Sequence, residues 1–127
     1  RVLFRSVIFK FRNTEPNSKT YQTVQVGPGL HVHDPETLAL LNHSCDPNVR
    51  IDTVTREVIA IRDISQSEML TFSYLTTEID MDNPFQCNCG SDGCGGTISG
   101  ARHTSPSVLR RYEAQLAPYV RELLDRP

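Results

Sequence analysis

Residues 87–96 have the sequence CNCGSDGCGG, in which three cysteines fall within eight positions of a glycine-rich turn. The fourth cysteine of the chain, Cys45, lies far upstream. A tetrahedral Zn²⁺ takes four thiolates at about 2.3 Å, and a turn whose glycines permit positive φ angles can supply three of them. The spacing therefore favours one zinc ion held by Cys45, Cys87, Cys89 and Cys94.

Two other states of the four thiols stay open. Two disulfides are the pattern of small secreted domains, but Cys87 and Cys89 are too close to bridge each other comfortably, and bridging each elsewhere would crowd the turn. The thiols could also bind nothing, with Cys45 simply buried in the core. Zinc is the hypothesis that best explains why the cysteines cluster.

The composition bounds the class of protein. A chain of 127 residues with 38% hydrophobic residues is one domain with a modest core. A net charge of −2 gives no general attraction to nucleic acid or to anionic membranes. No apolar run reaches the roughly 18 residues of a membrane span, and Arg1–Ser6 lacks the apolar region of a signal peptide. We expect an intracellular protein, cytoplasmic or in a eukaryote nuclear, without direct nucleic-acid or membrane partners. Since the first residue is Arg1, we also expect a processed chain or a fragment.

The residue pattern predicts a mainly β chain. Alternating and β-branched segments predict short strands, at Val7–Arg12, Thr20–Val26, Leu30–His33, Val49–Thr53, Glu57–Arg62 and Met69–Tyr74. A turn is predicted at Gly27–Gly29 and loops at Asn13–Lys19 and Asp80–Asn83.

Two helices are predicted from their capping residues. The first is a short helix, Pro35–Leu41, with Asp34 as its N-cap. The second is a longer helix, Pro106–Leu124, which Ser105 begins and Pro118 bends or breaks.

Two more segments complete the pattern: Asn42-His43-Ser44-Cys45-Asp46-Pro47-Asn48, and Glu68-Met69-Leu70-Thr71-Phe72-Ser73-Tyr74. Together with the cysteine turn they resemble, in order and spacing, SET-domain protein-lysine methyltransferases with a post-SET segment. The resemblance covers about residues 7–100 and looks closest to small stand-alone microbial SET/post-SET proteins.

The resemblance implies a SET-type fold of small curved sheets, in which a C-terminal strand threads beneath the Asn-His-Ser loop and a zinc knuckle follows. It divides the chain into a SET domain at 7–83, N-terminally incomplete, and a post-SET zinc segment at 84–100. The C-terminal helix, at 105–125, lies outside the resemblance.

The resemblance also implies function: S-adenosylmethionine-dependent N-methylation of lysine in a protein or peptide substrate. Asn42 and His43 would hold the cofactor, largely through backbone groups. Tyr74 would contact the cofactor and act in catalysis, beside the methyl group and the incoming amine. The four cysteines would ligate zinc. The amine must be neutral to react, which costs a free lysine about 4–5 kcal/mol at pH 7, and a narrow, partly dry channel lowers that pKa.

The chain differs from the family pattern at its N-terminal end. The Gly-x-Gly turn expected before Val7 is missing, and Gly27-Pro28-Gly29 has the letters but lies after the second strand. The cofactor's methionine end would then be open on one side, so the 127-residue chain by itself is expected to be nearly inactive.

Several features have ordinary alternatives. Asn42-His43-Ser44 is also a glycosylation sequon, and Tyr74 alone would be a packing tyrosine. His31-x-His33 is a surface pair or a weak metal site. Glu78, Asp80 and Asp82 form a solvated loop or attract a basic peptide. The whole chain could be a non-catalytic, zinc-stabilised SET fragment that acts as a binding module, or a secreted disulfide module.

Overall fold

The computed structural model of the chain describes residues 1–12, 15–16, 18–20, 22–91, 94 and 96–125. Within this part, short strands form several small sheets, which confirms the predicted mainly β fold. The strands are β1 (Val7–Lys10), β2 (Val24–Gly27), β3 (Leu30–Val32), β4 (Asn42–His43), β5 (Val49–Asp52), β6 (Glu57–Ala60), β7 (Thr71–Phe72), β8 (Phe85–Gln86) and β9 (Thr97–Ile98).

An antiparallel sheet with the strand order β1-β6-β5 forms the largest core. Two of the predicted strands form its β5–β6 hairpin. Asp52 explains the turn, because its Oδ1 accepts the N–H groups of Val54 and Thr55 at 3.0 Å. The buried face of the hairpin packs with Phe11 and Ile64. Its buried residues, each at most 1% exposed, are Val49, Ile51, Val58 and Ala60.

The β2–β3 hairpin turns at the predicted glycines, but the first strand is shorter than predicted. It begins at Val24 rather than at Thr20. The Thr23 hydroxyl donates to the Thr20 carbonyl at 2.9 Å and accepts the Thr20 N–H at 3.0 Å, which closes a turn where the strand pattern begins. Tyr21 lies outside the described residues, and so does part of the predicted Asn13–Lys19 loop.

The threaded strand predicted from the family resemblance is β7, which lies parallel to β4. Asn48 fixes the pair: its side chain donates to the Met69 carbonyl at 2.7 Å and accepts the Thr71 N–H at 2.8 Å. The predicted strand Met69–Tyr74 is too long, because Tyr74–Thr76 forms a 3₁₀ turn. Tyr74 therefore begins a helical turn instead of ending a strand.

The prediction of a helix at Pro35–Leu41 is wrong. In place of Pro35–Leu41 there is a turn and a 3₁₀ helix, Leu38–Leu40. Here the Asp34 carbonyl, rather than its side chain, accepts the N–H groups of Thr37 and Ala39. The helix ends early because Leu41 is extended, which leads the chain into β4.

The C-terminal helix is interrupted just before Pro118, as the sequence predicts. Ser105 caps α1 (Pro106–Leu109) by accepting the Val108 N–H at 3.4 Å, and a 3₁₀ helix, Arg110–Gln115, follows. Leu116 is extended, and Pro118 begins the second helix, α2 (Pro118–Asp125). This segment packs into a second core with Leu75 and Ile98. Among the described helices, none has the length and apolar character needed to cross a bilayer.

Candidate functional site

The structure brings the four predicted zinc ligands together. The Sγ atoms of Cys45, Cys87, Cys89 and Cys94 all lie within 4.8 Å of one another. The Sγ atoms of Cys45 and Cys87 are 3.8 Å apart, and a tetrahedral zinc site with bonds of about 2.3 Å separates its sulfurs by about 3.8 Å. No disulfide joins these four described cysteines. The cluster could therefore hold a zinc ion.

Two parts of the chain hold the cluster in place. The β8–β9 pair flanks the cysteine turn, and the Cys87 N–H donates to the Gly96 carbonyl at 2.8 Å. Gly90 and Gly96 have the positive φ angles that were predicted, 76° and 78°, while Gly93 and Gly95 lie outside the described residues. On the far side, the Tyr112 hydroxyl donates to the Cys45 carbonyl at 2.7 Å.

The environment of the thiols differs from one cysteine to the next. Burial raises the pKa of the Cys87 thiol to about 12, whereas a hydrogen bond from Ser91 lowers the pKa of the Cys89 thiol to about 5. A dication among the sulfurs would favour the thiolate of every ligand, because its charge outweighs these local effects.

A cavity of about 510 Å³ lies beside the cluster, and all the residues predicted to bind cofactor line it: Asn42, His43 and Tyr74. This volume is in the range of small-molecule sites in proteins. The rings of His43, Tyr74 and Phe85 contact one another in this cavity. The His43 and Tyr74 centroids are 5.0 Å apart, and the Phe85 ring is edge-on to both. The Phe72 ring is tilted against the Tyr74 ring, with the two centroids 4.9 Å apart.

His43 links the cysteine cluster to Tyr74. Its Nδ1 accepts the Tyr74 backbone N–H at 3.0 Å, and its Nε2 lies 3.5 Å from the Cys45 Sγ. Burial lowers the pKa of His43 to about 4, so the ring is neutral at physiological pH. Since Nδ1 is an acceptor, the proton lies on Nε2 and points toward the cysteine sulfur.

Tyr74 packs against both hydrophobic cores of the molecule, at the point where they meet. Burial, and then the charge of Glu78, raise the pKa of its phenol, so the hydroxyl keeps its proton. The described part of the chain gives this hydroxyl no hydrogen-bond partner. Its ring lines the cavity, where the oxygen can accept from a ligand.

Glu78 was predicted to be part of a solvated acidic loop, and this is wrong. Its side chain is 7% exposed and lines the cavity. Burial raises the pKa of Glu78 to about 7, although hydrogen bonds from Gln25 and Thr77 oppose the rise. Asp80 and Asp82 do face solvent, where Asp80 pairs with His103 at 2.9 Å and Asp82 lies 3.9 Å from Lys19.

Two tyrosines of the C-terminal segment, Tyr112 and Tyr119, support the site and were not identified from the sequence. Tyr112 holds the cysteine loop, as described above. The Tyr119 hydroxyl donates to the carbonyls of Gln25, at 2.6 Å, and Thr77, at 2.9 Å, beside Glu78. Both tyrosines lie on the apolar face of the predicted helix, which indicated packing but not the partners of the hydroxyls.

We expect Tyr119→Phe to lower the free energy of unfolding by about 1–3 kcal/mol. The ring is retained, but two buried carbonyls lose a donor. Urea denaturation of both proteins measures the difference. Tyr→Phe at an exposed position would cost almost nothing, so an unchanged denaturation midpoint would contradict the bridging role of this hydroxyl.

His31 and His33, for which metal binding was the weaker alternative to a surface pair, are not part of the metal-binding group found among the described residues. Within the described part of the chain, the four cysteines form the group of potential ligands, and neither histidine belongs to it.

Comparison with known proteins gives a consistent family. A SET domain model matches residues 7–75. The chain is 46% identical over 108 residues to the methyltransferase flvH of Aspergillus flavus. The aligned residues make up 84% of this chain and 60% of the relative. It is 42% identical over 66 residues to the H3 lysine-4 specific histone-lysine N-methyltransferase of Aspergillus oryzae, covering 46% of this chain and 5% of the relative.

A third relative is the H3 lysine-36 specific histone-lysine N-methyltransferase of Mycosarcoma maydis. It is 30% identical over 107 residues, which is 80% of this chain and 10% of the relative. The chain thus spans three fifths or less of the length of these curated relatives.

Proposed function

Because this chain belongs to the SET-domain family, we propose that it contributes the catalytic domain of an S-adenosylmethionine-dependent protein-lysine N-methyltransferase. The observation that carries the proposal is the meeting of Asn42, His43 and Tyr74 in one cavity of about 510 Å³, beside the four-cysteine cluster. Two of the relatives are by name histone H3 lysine methyltransferases. A lysine in a protein such as a histone is therefore the substrate class we propose, and an intracellular location is part of the same proposal.

The walls of the cavity suit the charges of this reaction. A sulfonium and an ammonium are both cations, and aromatic faces attract cations within about 6 Å of the ring centre. His43, Phe72, Tyr74 and Phe85 provide such a wall. Because the His43 ring is neutral, it adds no repulsive charge.

Each residue has a distinct task in the proposed mechanism. S-adenosylmethionine, when bound, supplies an electrophilic methyl group on a positively charged sulfur. Asn42 and the His43 backbone bind the cofactor along β4. Tyr74 orients the amine through its phenolic oxygen, and the Phe85 and Phe72 rings keep water from the reacting atoms. The rate depends on alignment, and a displacement of about 1 Å can cost on the order of 100-fold.

Zinc fits the cysteine cluster, and we propose a structural role for it. All four ligand positions would be taken by thiolates, which leaves no site for a water or a substrate. The metal would hold Cys45, in the loop that carries Asn42 and His43, against the turn of Cys87–Cys94. We propose the division into a SET domain at 7–83 and a post-SET segment at 84–100, and residues 105–125 pack against both of them.

Tyr74→Phe tests the catalytic role of the phenolic oxygen. We expect turnover to fall by about 10-fold or more, or the number of methyl groups added to change, while affinity for S-adenosylmethionine stays the same. The ring and its contacts with His43 and Phe72 are kept, so a fold defect is not expected. The measurement is transfer of labelled methyl groups from S-adenosylmethionine to core histones and to a library of lysine peptides.

The assay uses the full-length gene product. Unchanged rate and product in Tyr74→Phe would return Tyr74 to a packing role. A wild-type protein that binds S-adenosylmethionine or peptide but transfers no methyl group would instead support the alternative, a zinc-stabilised binding module.

A further inference from the structure

Glu78 is a buried carboxylate in the cavity wall for which the mechanism above has no task. Its N–H donates to the Tyr74 carbonyl at 2.8 Å, so it lies one helical turn beyond Tyr74. Both side chains line the same cavity. The charge of Glu78 also contributes to the raised pKa of Tyr74, after the larger effect of burial.

The two oxygens of Glu78 have different surroundings. Oε2 accepts the Gln25 N–H at 2.9 Å and the Thr77 hydroxyl at 2.7 Å. The residues that the structure describes give Oε1 no hydrogen bond. A carboxylate that is 7% exposed is destabilised by burial unless its remaining acceptor positions meet a proton or a cation. Oε1 therefore offers an acceptor to a group that enters the cavity.

The reaction needs such an acceptor, because a lysine arrives as an ammonium ion and reacts as a neutral amine. This inference rests on the proposed function. We propose that Glu78 is the general base of the methyl transfer and receives the ammonium proton on Oε1.

The N–H bond of the ammonium breaks, an O–H bond forms at Oε1, and the electron pair stays on nitrogen. That pair forms the new N–C bond to the methyl carbon, while the electrons of the C–S bond leave with sulfur. The Glu78 carboxyl then releases its proton to water through the cavity.

The electrostatic surroundings agree with this role. A base is most efficient when its pKa is close to the working pH, and burial raises that of Glu78 to about 7. The titratable groups around it are Lys19, whose charge lowers the Glu78 pKa, and the phenols of Tyr74 and Tyr119, whose pKa values Glu78 raises. Asp82 also lines the cavity, but it is half-exposed and lies 3.9 Å from Lys19.

The test is the pH profile of kcat/KM for Glu78→Gln, with saturating S-adenosylmethionine and core histones or lysine peptides as substrates. The wild-type profile should rise with pH through about 7, because the carboxylate is the active form. In Glu78→Gln this rise should vanish, kcat should fall about 100-fold near neutral pH, and activity should recover only toward the pKa of the free amine. Asp82→Asn removes the same charge from the cavity and should keep the wild-type profile shape.

A second variant covers the case in which Glu78→Gln does not fold. Thr77→Val keeps the shape of Thr77 and removes one donor that lowers the Glu78 pKa, so the rise in kcat/KM should move to higher pH. The free energy of unfolding gives a readout without catalysis. Between pH 4.5 and about 7, Glu78 keeps its proton in the folded state but has lost it in the unfolded chain. The free energy of unfolding of the wild type should therefore fall as the pH rises through this range. Glu78→Gln should lack that fall.

The outcomes separate the two proposals. Methyl transfer by the wild type with an unchanged profile in Glu78→Gln, or with a change in KM alone, overturns the base role and leaves the proposed function standing. A wild type that transfers no methyl group to any of these substrates overturns both.

Discussion

Removing zinc from the four-cysteine cluster is expected to unfold the C-terminal half of the chain rather than loosen a single turn. Binding of zinc in sites of this kind contributes about 10–16 kcal/mol, and a whole domain is stable by about 5–15 kcal/mol. Cys45 and Cys87 belong to the same buried core as Leu75, Ile98 and Leu109. The core therefore loses its centre when the metal is removed.

The measurement combines metal analysis with melting. We expect one zinc per chain in the purified protein, and a cooperative loss of its melting transition when a strong chelator is added. Cys45→Ser should have the same effect without chelator. Ser91→Ala is the matched control, since it removes only the hydroxyl 3.2 Å from the Cys89 Sγ and no ligand. A protein without zinc, or one that melts at the same temperature after chelation, would show that the cluster has no structural metal.

Loss of the metal should also weaken cofactor binding, and His43 is the reason. Its ring touches the Cys45 sulfur on one side and accepts the Tyr74 N–H on the other. When Cys45 moves, the loop that carries Asn42 and His43 loses its anchor at the cavity. In Cys45→Ser, zinc content and affinity for S-adenosylmethionine should fall together, and unaltered affinity in a zinc-free variant would disprove this coupling.

The parts of the fold that were predictable are those in which the local sequence fixes its own geometry. The β5–β6 hairpin follows from an alternating pattern and from Asp52, which caps its own turn. Ser105 and Pro118 mark helix starts for steric and hydrogen-bonding reasons that do not depend on the rest of the chain. The cysteine cluster was predictable because few arrangements satisfy four thiols at this spacing.

The errors occurred where distant contacts override local preference. The Thr20–Val26 pattern has high β propensity, yet Thr23 forms a turn with Thr20 before the strand can begin. Pro35–Leu41 has helix-start residues, but Leu41 must be extended so that Asn42 can pair beside β7. Tertiary pairing of this kind cannot be derived from propensity alone.

The parts of the site that could not be predicted from the sequence are those that depend on burial in the folded chain. Glu78 lies in an acidic run with Asp80 and Asp82, and all three have the composition of a solvated loop. Only the structure distinguishes Glu78 from the two aspartates, since the Gln25 N–H that its carboxylate accepts comes from a distant position in the sequence. The same is true of Tyr112 and the Cys45 carbonyl, because a helical tyrosine on an apolar face does not reveal which carbonyl its hydroxyl meets.

Gly100 allows two backbone segments to pack closely together at Glu78, in the wall of the cavity. The backbone of residues 99–102 runs against that of residues 78–81, where the Ala101 N–H donates to the Glu78 carbonyl at 2.8 Å and the Met81 N–H to the Ser99 carbonyl at 3.0 Å. Gly100 has φ 116° and ψ 162°, a region that is essentially limited to glycine. A Cβ at this position would lie 2.5 Å from the Ile79 carbonyl oxygen.

We therefore expect Gly100→Ala to lower the free energy of unfolding by about 3–5 kcal/mol, because backbone strain and a collision with backbone atoms add together. Gly29→Ala is the matched control. Gly29 also has a positive φ, 66°, but a Cβ there meets nothing within 4 Å, so its cost should be only about 1–2 kcal/mol. Urea denaturation of the three proteins measures both losses. Relief of the collision requires the 78–81 segment to move away, so Gly100→Ala should also weaken S-adenosylmethionine binding, which Gly29→Ala should leave unchanged. Equal losses of stability in the two variants would mean that positive φ alone governs both glycines and that the contact with Ile79 carries no strain.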